Sequence, residues 1–404
     1  MRLGLGIGWR PEIELTVARL PGVEWVEIVA ENISPDAVPA SLAALSEFGM
    51  PVIPHGVSLS LGGTEPPDSE RLARLAGLAE RFGSPLVSEH VAFCRADGIE
   101  AGHLLPVPRT RAAVDVLTEN ITIAQAALPV PLAVENIAPL LSWPEDELNE
   151  AEFLTELVER TGVLLLLDVA NMHTAHVNFG LDPIATLDAL PLDRIGYVHV
   201  AGGVLHDGIW HDTHAHTVSQ EILSILAALA ERAPLPGVML ERDEAYPSGT
   251  ELAAEIATIR QVLADVREHT DPAWQRPASV AETGRHANRT GKERAPQAGP
   301  TANDTLAARQ MSLVRALVAG GYPPAGVDPE RVRVQALALL RKRFRSVARY
   351  RPELVAALGA NFWPTFQQYA AAEPTPSPST SHDTERFARY MRKNRDSLPQ
   401  PDVQ

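Results

Sequence analysis

Eight short apolar runs, each followed by a longer amphipathic stretch, constrain this chain more than any other feature. They are Leu3–Gly8, Trp25–Ala30, Val52–Ser58, Leu86–His90, Leu132–Glu135, Leu164–Asp168, Tyr197–Val200 and Val238–Glu241. Runs such as LLLLD at 164–168 lack polar alternation, which suits parallel strands covered on both faces. The stretches between them read as helices, among them Ser69–Phe82, Arg109–Ala127, Asn149–Arg160, Gln220–Ala233 and Glu251–Glu268. Eight strand–helix units in about 270 residues is the size of a closed barrel. The expected fold is therefore α/β, a (β/α)8 TIM-type barrel over residues 1–269. A doubly wound dinucleotide fold is disfavoured, because Gly4, Gly6 and Gly8 do not complete a GxGxxG turn.

The polar residues of these runs fall at one end. His55 follows VIP, His90 ends LVSEH, Glu135 and Asn136 end LAVEN, and Asp168 ends LLLLD with Asn171 and His173 just beyond. His199 sits in YVHVAGG, Asp212, His214 and His216 in HDTHAH, and Glu241 ends GVMLE with Asp243 next to it. Six strands thus carry a metal-capable residue to the C-terminal end, where barrel enzymes assemble their sites. Ten of the 13 histidines lie between positions 55 and 216. Carboxylates at the end of an apolar strand cost several kcal/mol if left unpaired, and cation coordination removes that penalty. Read singly, Asp168 and Glu135 are equally well structural partners for Arg10 or Arg109. Taken together, the donors exceed the three or four that one catalytic ion takes, so two or three ions with shared carboxylates are expected. Mixed nitrogen and oxygen donors suit iron, manganese or zinc. Glu27, Glu31, Asn136, His173, His216 and Asp243 are expected around the ligands rather than on the metal.

Charge and cysteine content narrow the function. Residues 1–270 hold 15 Lys and Arg against 39 Asp and Glu, −24, whereas 271–404 hold 20 against 12, +8. A strongly acidic body argues against nucleic acid, whose phosphates need a positive field. Cys94 is the single cysteine, so no intrachain disulfide forms, and a cytoplasmic location is expected. It is read as a loop residue of incidental role. The N-terminal residues lack the pattern of a secretory signal, and no stretch has the length of a membrane span. Residues 270–303, rich in Pro, Gly, Ala and Thr, read as a flexible linker. Helical patterning returns at Thr305–Gly320, Asp328–Ala357 and 361–371, giving a small all-α domain over 304–371. The remainder, 372–404, reads as a flexible tail with a short basic helix at Thr384–Arg395.

The blocks GIGWRPE (6–12), HGVSLSLGG (55–63), SEHVAF (88–93), LLPVPRT (104–110), VENIAP (134–139), RTGVLLLLDVANMHTAHVNFG (160–180), LPLDRIGYVHVAGG (190–203), DTHAH (212–216) and LERD (240–243) carry a resemblance. In this order they resemble the DUF692 (UPF0276) family, multinuclear non-haem iron oxygenases that include the methanobactin biosynthesis oxidase. The resemblance covers residues 1 to about 268. It implies ligands at His55, His90, Glu135, Asn171, His199, Asp212, His214 and Glu241, with Asp168 close by. It further implies two or three irons of mixed valence, O2 as co-substrate, and a cysteine-bearing ribosomally made precursor peptide as substrate. A partner protein presents the peptide in several relatives. The chain departs from the family at VENIAP, DVAN and ERD, and Gly203 stands where a histidine is sometimes found. The segment ALLRKRFRSVARYRPELVAALGANFWPTF looks like the helical domain fused to actinobacterial members. Two competing readings stand beside the oxygenase. One is a zinc- or manganese-dependent barrel hydrolase or isomerase, and the other a non-enzymatic metal- or peptide-binding regulator.

Overall fold

The structure, a computed structural model, describes residues 2–269, 302–373 and 380–394. Eight parallel strands close into a barrel: β1 (Gly4–Gly8), β2 (Trp25–Val29), β3 (Val52–His55), β4 (Val87–His90), β5 (Leu132–Glu135), β6 (Leu164–Asp168), β7 (Ile195–Ala201) and β8 (Gly237–Glu241). Each strand pairs with its sequence neighbours and β8 pairs with β1. The barrel expected from the eight apolar runs is the one observed. Helices lie between strands, and their ends obey local chemistry. Asp68 accepts from Glu70 N and Arg71 N at the start of helix Ser69–Phe82, and Asn149 with Glu152 forms a capping box at helix Glu150–Thr161.

The barrel interior is built in two layers that follow from the period of two along a strand. Its lower layer is apolar: Leu3, Trp25, Ile53, Leu86, Ala133, Leu166, Tyr197 and Met239, all buried. Two residues further along β2, β3, β5, β6, β7 and β8 stand Glu27, His55, Glu135, Asp168, His199 and Glu241. On β4 the same step leads from Leu86 to Ser88 and then to His90. The inward face of every strand except β1 thus turns from oil to polar at one level. On β1 the inward positions are glycines, because a Cβ at Gly6 would collide with the Trp25 ring and one at Gly8 would crowd Arg10. The GLGIG run makes room for two large neighbours, which is the physical reason it is not a nucleotide turn.

Two β-hairpins rise from the C-terminal rim, Ala92–Ala96 with Ile99–Pro106 and Val204–His206 with Ile209–His211. Cys94 lies in the first of these, in a strand rather than the expected loop, and is buried. The segment expected as a linker, 270–303, falls outside the described residues up to position 301. Beyond it come helices Ala302–Val318, Pro329–Tyr350, Pro352–Leu358, Phe362–Ala372 and Thr380–Lys393. The continuous helix expected over 328–357 is interrupted at Arg351, whose φ of −135° and ψ of 58° are non-helical. Pro352 disfavours helical geometry in the residue before it. Phe362, Phe366 and Tyr369 form the core of this part with Val347 and Phe387, so the aromatic cluster is a packed core stripe. Phe387 belongs to helix Thr380–Lys393, which packs into that core although it lies in the segment read as a tail.

Helix Ala302–Val318 fastens this part to the barrel. Arg309 forks onto both carboxylate oxygens of Glu145, at 2.6 Å each, over the Trp143 ring. Gln310, fully buried, donates to Gly62 O and accepts from Thr64 N.

Candidate metal centre

Strand register sets the candidate ligands side by side. His90 on β4 faces Glu135 on β5, and Asp168 on β6 faces His199 on β7. Three overlapping donor groups result: His55, His90 and Glu135; Glu135, Asp168 and His199; Asp168, His214 and Glu241. Within each, one donor atom per residue lies inside 4.8 Å of the others. Glu135 belongs to the first two groups and Asp168 to the last two. This is the arrangement that lets one carboxylate bridge neighbouring ions.

The residues fit a metal on grounds of their own. Glu135 Oε2, Asp168 Oδ2, Asn171 Oδ1 and Asp212 Oδ1 are buried and find no hydrogen-bond partner among the described residues. Four orphaned oxygens at one place are too costly to leave bare. Glu135 Oε2 stands 3.5 Å from His55 Nε2 and 3.3 Å from His90 Nε2. Those are long for hydrogen bonds, but two donors about 2.1 Å from one ion sit about 3.0–3.4 Å apart.

The surroundings fix which ring nitrogen each histidine presents. Tyr197 OH donates to Glu27 Oε2 at 2.6 Å, so Ser88 Oγ, 2.6 Å away, donates to Tyr197. Ser88 Oγ then accepts from His55 Nδ1 at 2.8 Å, which leaves Nε2 of His55 toward Glu135. His199 Nε2 donates to Glu27 Oε2 at 2.8 Å, leaving Nδ1 toward Glu135 at 3.1 Å and Glu241 at 3.3 Å. His90 donates from Nδ1 to Gly56 O and presents Nε2 to Glu135. A buried chain, Glu27–Tyr197–Ser88, thus ties two candidate ligands together from beneath.

Without metal, the charges are balanced among themselves. Burial would lower the His199 and His214 rings, yet neighbouring carboxylates outweigh it and hold both well above the usual histidine value. For His90 the same contest, with Glu135 and Glu89 opposing burial, ends at about 9. His55 goes the other way, held well below by burial and by the positive rings of His90 and His199. Burial, Asp212 and Glu135 drive the Asp168 carboxyl well above the aspartate range. A metal binding here displaces those ring protons, so affinity rises with pH.

The expected neighbours divide. Glu27 supports His199, and Asn136 exchanges hydrogen bonds with the backbone of Asp168 at 2.9 and 3.1 Å. Asp243 holds His214 Nδ1 at 3.0 Å and Arg10 at 2.6 Å. Glu31 lies off the cluster, accepting from Val57 N and Ser58 Oγ. His173 stacks edge-on against Trp210, 4.6 Å between centroids, and His216 is exposed beside Thr213, so neither joins a donor group. Neither Arg10 nor Arg109 pairs with Asp168 or Glu135: Arg10 pairs with Glu241 and Asp243, and Arg109 with Asp146. Glu89 escaped the sequence reading. It is buried, accepts from Ser58 N and Leu59 N, and supports His90. Its signal was the adjacent position in LVSEH, but a strand points it away from the ligand face. At Gly203 a Cβ would meet Trp210 Nε1 and His211 O, so the second hairpin occupies the space of the missing histidine side chain.

Residues 4–264 match the model of a family described as the RiPP precursor modification enzyme MbnB/TglH/ChrH, RiPP denoting a ribosomally synthesised, modified peptide. The chain belongs to this family. Family members act on precursor peptides, and this chain is an enzyme of that kind. Residues 307–393 match a second model, the SCO6045-like C-terminal domain. A UPF0276 protein of Streptomyces avermitilis is 51% identical over 409 residues, covering 92% of this chain and 84% of the relative. One from Chromobacterium violaceum is 34% identical over 266 residues, covering 66% of this chain and 96% of its own. Among solved structures, an L-ribulose 3-epimerase aligns with a TM-score of 0.48 at 18% identity, covering 69% of this chain and all of its own. The described residues include no helix long and apolar enough to cross a membrane.

Proposed function

We propose that this family member is an iron-dependent oxidase that uses O2 to modify a cysteine of a ribosomally made precursor peptide. The observation that carries the proposal is the pair of shared carboxylates, Glu135 and Asp168, which link three donor groups into one centre. His55, His90, Glu135, Asp168, His199, His214 and Glu241 would hold two or three irons, with Asn171 Oδ1 and Asp212 Oδ1 as further oxygen donors. When bound, iron of mixed valence supplies the acidity that deprotonates a coordinated thiol and the electrons that activate O2.

The chain's own residues do the rest. The apolar layer beneath the cluster seals the barrel, so the peptide approaches from the C-terminal rim. Glu27, Tyr197 and Ser88 hold the His55 and His199 rings in the orientation that presents a lone pair upward. Arg10, itself buried, offsets the charge of Glu241 and Asp243. Cys94 is not the reacting thiol: it is buried, and burial with nearby Glu100 pushes it up to about 12. A chain with this single thiol suits a reducing compartment.

Anaerobic metal analysis with Mössbauer spectroscopy tests the reading. Two or three irons per chain are expected, and His55→Ala, Glu135→Ala or Asp212→Ala should lose iron and peptide oxidation together. Stoichiometric zinc that survives iron supplementation would replace the oxidase with the hydrolase or isomerase reading.

A further inference from the structure

Helix Pro329–Tyr350 belongs to the appended helical part, yet its partners lie on the barrel rim. Arg331 donates to Asn178 O at 3.1 Å and covers the Phe179 ring, at the C-terminal end of the helix that follows β6. Arg345 pairs with Glu244 beyond β8 at 3.6 Å, and Arg349 pairs with Glu12 beyond β1. The helix also packs against strand Ile99–Pro106 of the hairpin after β4. A helix of 22 residues spans about 33 Å. It therefore crosses the mouth above the metal centre, pinned to segments that follow four different strands.

Arg331, Gln335, Ala338, Lys342, Arg345 and Arg349 recur at steps of four and three, which places them on one face. Because Arg331, Arg345 and Arg349 contact the rim, this is the face turned to the mouth. Two members of the stripe are unspent. Gln335 is 3% exposed and its Nε2 finds no acceptor among the described residues. Lys342 forms no ion pair or hydrogen bond among the described residues, although Asp243 and Glu244 lie within its field. Across the gap stands His103 of the first hairpin. Its side chain is exposed, and it feels Lys342, His90 and His214 together. The charges of Lys342 and of the candidate ligands His90 and His214 thus reach one and the same ring.

A barrel of −24 repels an acidic peptide, whereas this stripe turns cations and a free amide donor toward the C-terminal mouth of the barrel. Screening over about 8 Å makes the local charges decide. We propose that the mouth-facing stripe of helix Pro329–Tyr350 binds a carboxylate-bearing segment of the peptide substrate, with Lys342 and Gln335 as its direct contacts. The assignment rests on the peptide-modifying reading above. It makes the helical part a wall of the substrate channel rather than a separate module.

The test is fluorescence anisotropy on the full chain under anaerobic conditions, with two labelled probes, Gly-Ser-Asp-Asp-Cys-Gly and Gly-Ser-Asn-Asn-Cys-Gly. Wild type should bind the Asp probe about 10-fold or more tighter, the worth of one charge-assisted hydrogen bond. Lys342→Glu should abolish that preference, Gln335→Leu should weaken binding, and the preference should fade in high salt. Arg333→Glu changes the net charge equally on the outer face and should leave the preference intact. Equal binding of both probes, no binding of either by wild type, or equal loss in Arg333→Glu and Lys342→Glu would each overturn the proposal. The measurement needs neither iron nor turnover. Intact binding without any peptide oxidation would therefore refute the oxidase reading while leaving this one standing.

Discussion

Asp168 caps a helix and is a proposed metal ligand, two roles that one substitution can separate. Its Oδ1 caps helix Val169–Phe179, accepting from Ala170 N at 2.6 Å and Asn171 N at 3.0 Å, while its buried Oδ2 is unpartnered. Asp168→Asn keeps an oxygen for the cap and leaves the Asn136 bonds to the backbone untouched. It also removes a buried carboxyl crowded by Asp212 and Glu135, to which an amide can donate. The metal-free variant should therefore be more stable than metal-free wild type, by on the order of 1–3 kcal/mol or roughly 2–10 °C in Tm. The sign follows from linkage. A carboxyl raised in the fold binds protons the unfolded chain has released, so wild type loses stability as pH climbs above about 3.9. The variant lacks that loss. With iron the order reverses, because each site filled at 100-fold excess over its Kd adds about 2.7 kcal/mol, and Asp168 serves two of the three donor groups. Asp168→Ala should lose the metal and also the cap, about 1 kcal/mol. Anaerobic calorimetry of all three proteins with and without Fe(II), together with metal counting, reads every term. Wild-type iron content in Asp168→Asn, or a metal-free melt as low as that of Asp168→Ala, would refute the reasoning.

Three further outcomes follow from other parts of the molecule. Cys94, with its thiol pushed up to about 12 and Sγ toward Ser58 O at 3.6 Å, should resist iodoacetamide at pH 8 in the native protein and react fully in guanidinium. Gly202→Ala should cost metal as well as stability, since a Cβ there collides with the backbone oxygen of His216 and must displace the loop carrying Asp212 and His214; normal iron content would contradict it. Arg343→Ala strips the partner from Asp383, which also accepts from Tyr369 OH, and a buried pair broken on one side costs about 3–5 kcal/mol. Hydrogen exchange should then rise in helices Phe362–Ala372 and Thr380–Lys393 while the barrel strands stay protected.

How much was legible depended on whether the signal was periodic. The eight apolar runs marked the strands because a parallel strand buried on both faces must be apolar along its length. His55, His90, Glu135, Asp168, His199 and Glu241 stood out because a polar residue closing such a run has no structural excuse. Residues whose role depends on a partner far along the chain carried no such mark. Glu27 was expected near the ligands, but its partners were not: β7 brings Tyr197 and His199 against it, 170 and 172 residues away, and Glu89, not expected at all, supports His90. His173 and His216 matched the ligands in type and neighbourhood, but helix direction and loop path turned them elsewhere.

The sequence by itself thus determined the strands, the level at which they turn polar, and the donors an ion would need. Only the tertiary structure decided that Glu135 and Asp168 are shared between donor groups, because sharing is a matter of register between strands. The same holds for the basic helix. Its spacing puts Arg331, Lys342, Arg345 and Arg349 on one face, and only its placement across the rim turned that face toward an acidic mouth. Periodicity tells a helix which of its residues share a side, but what that side meets depends on contacts hundreds of residues apart.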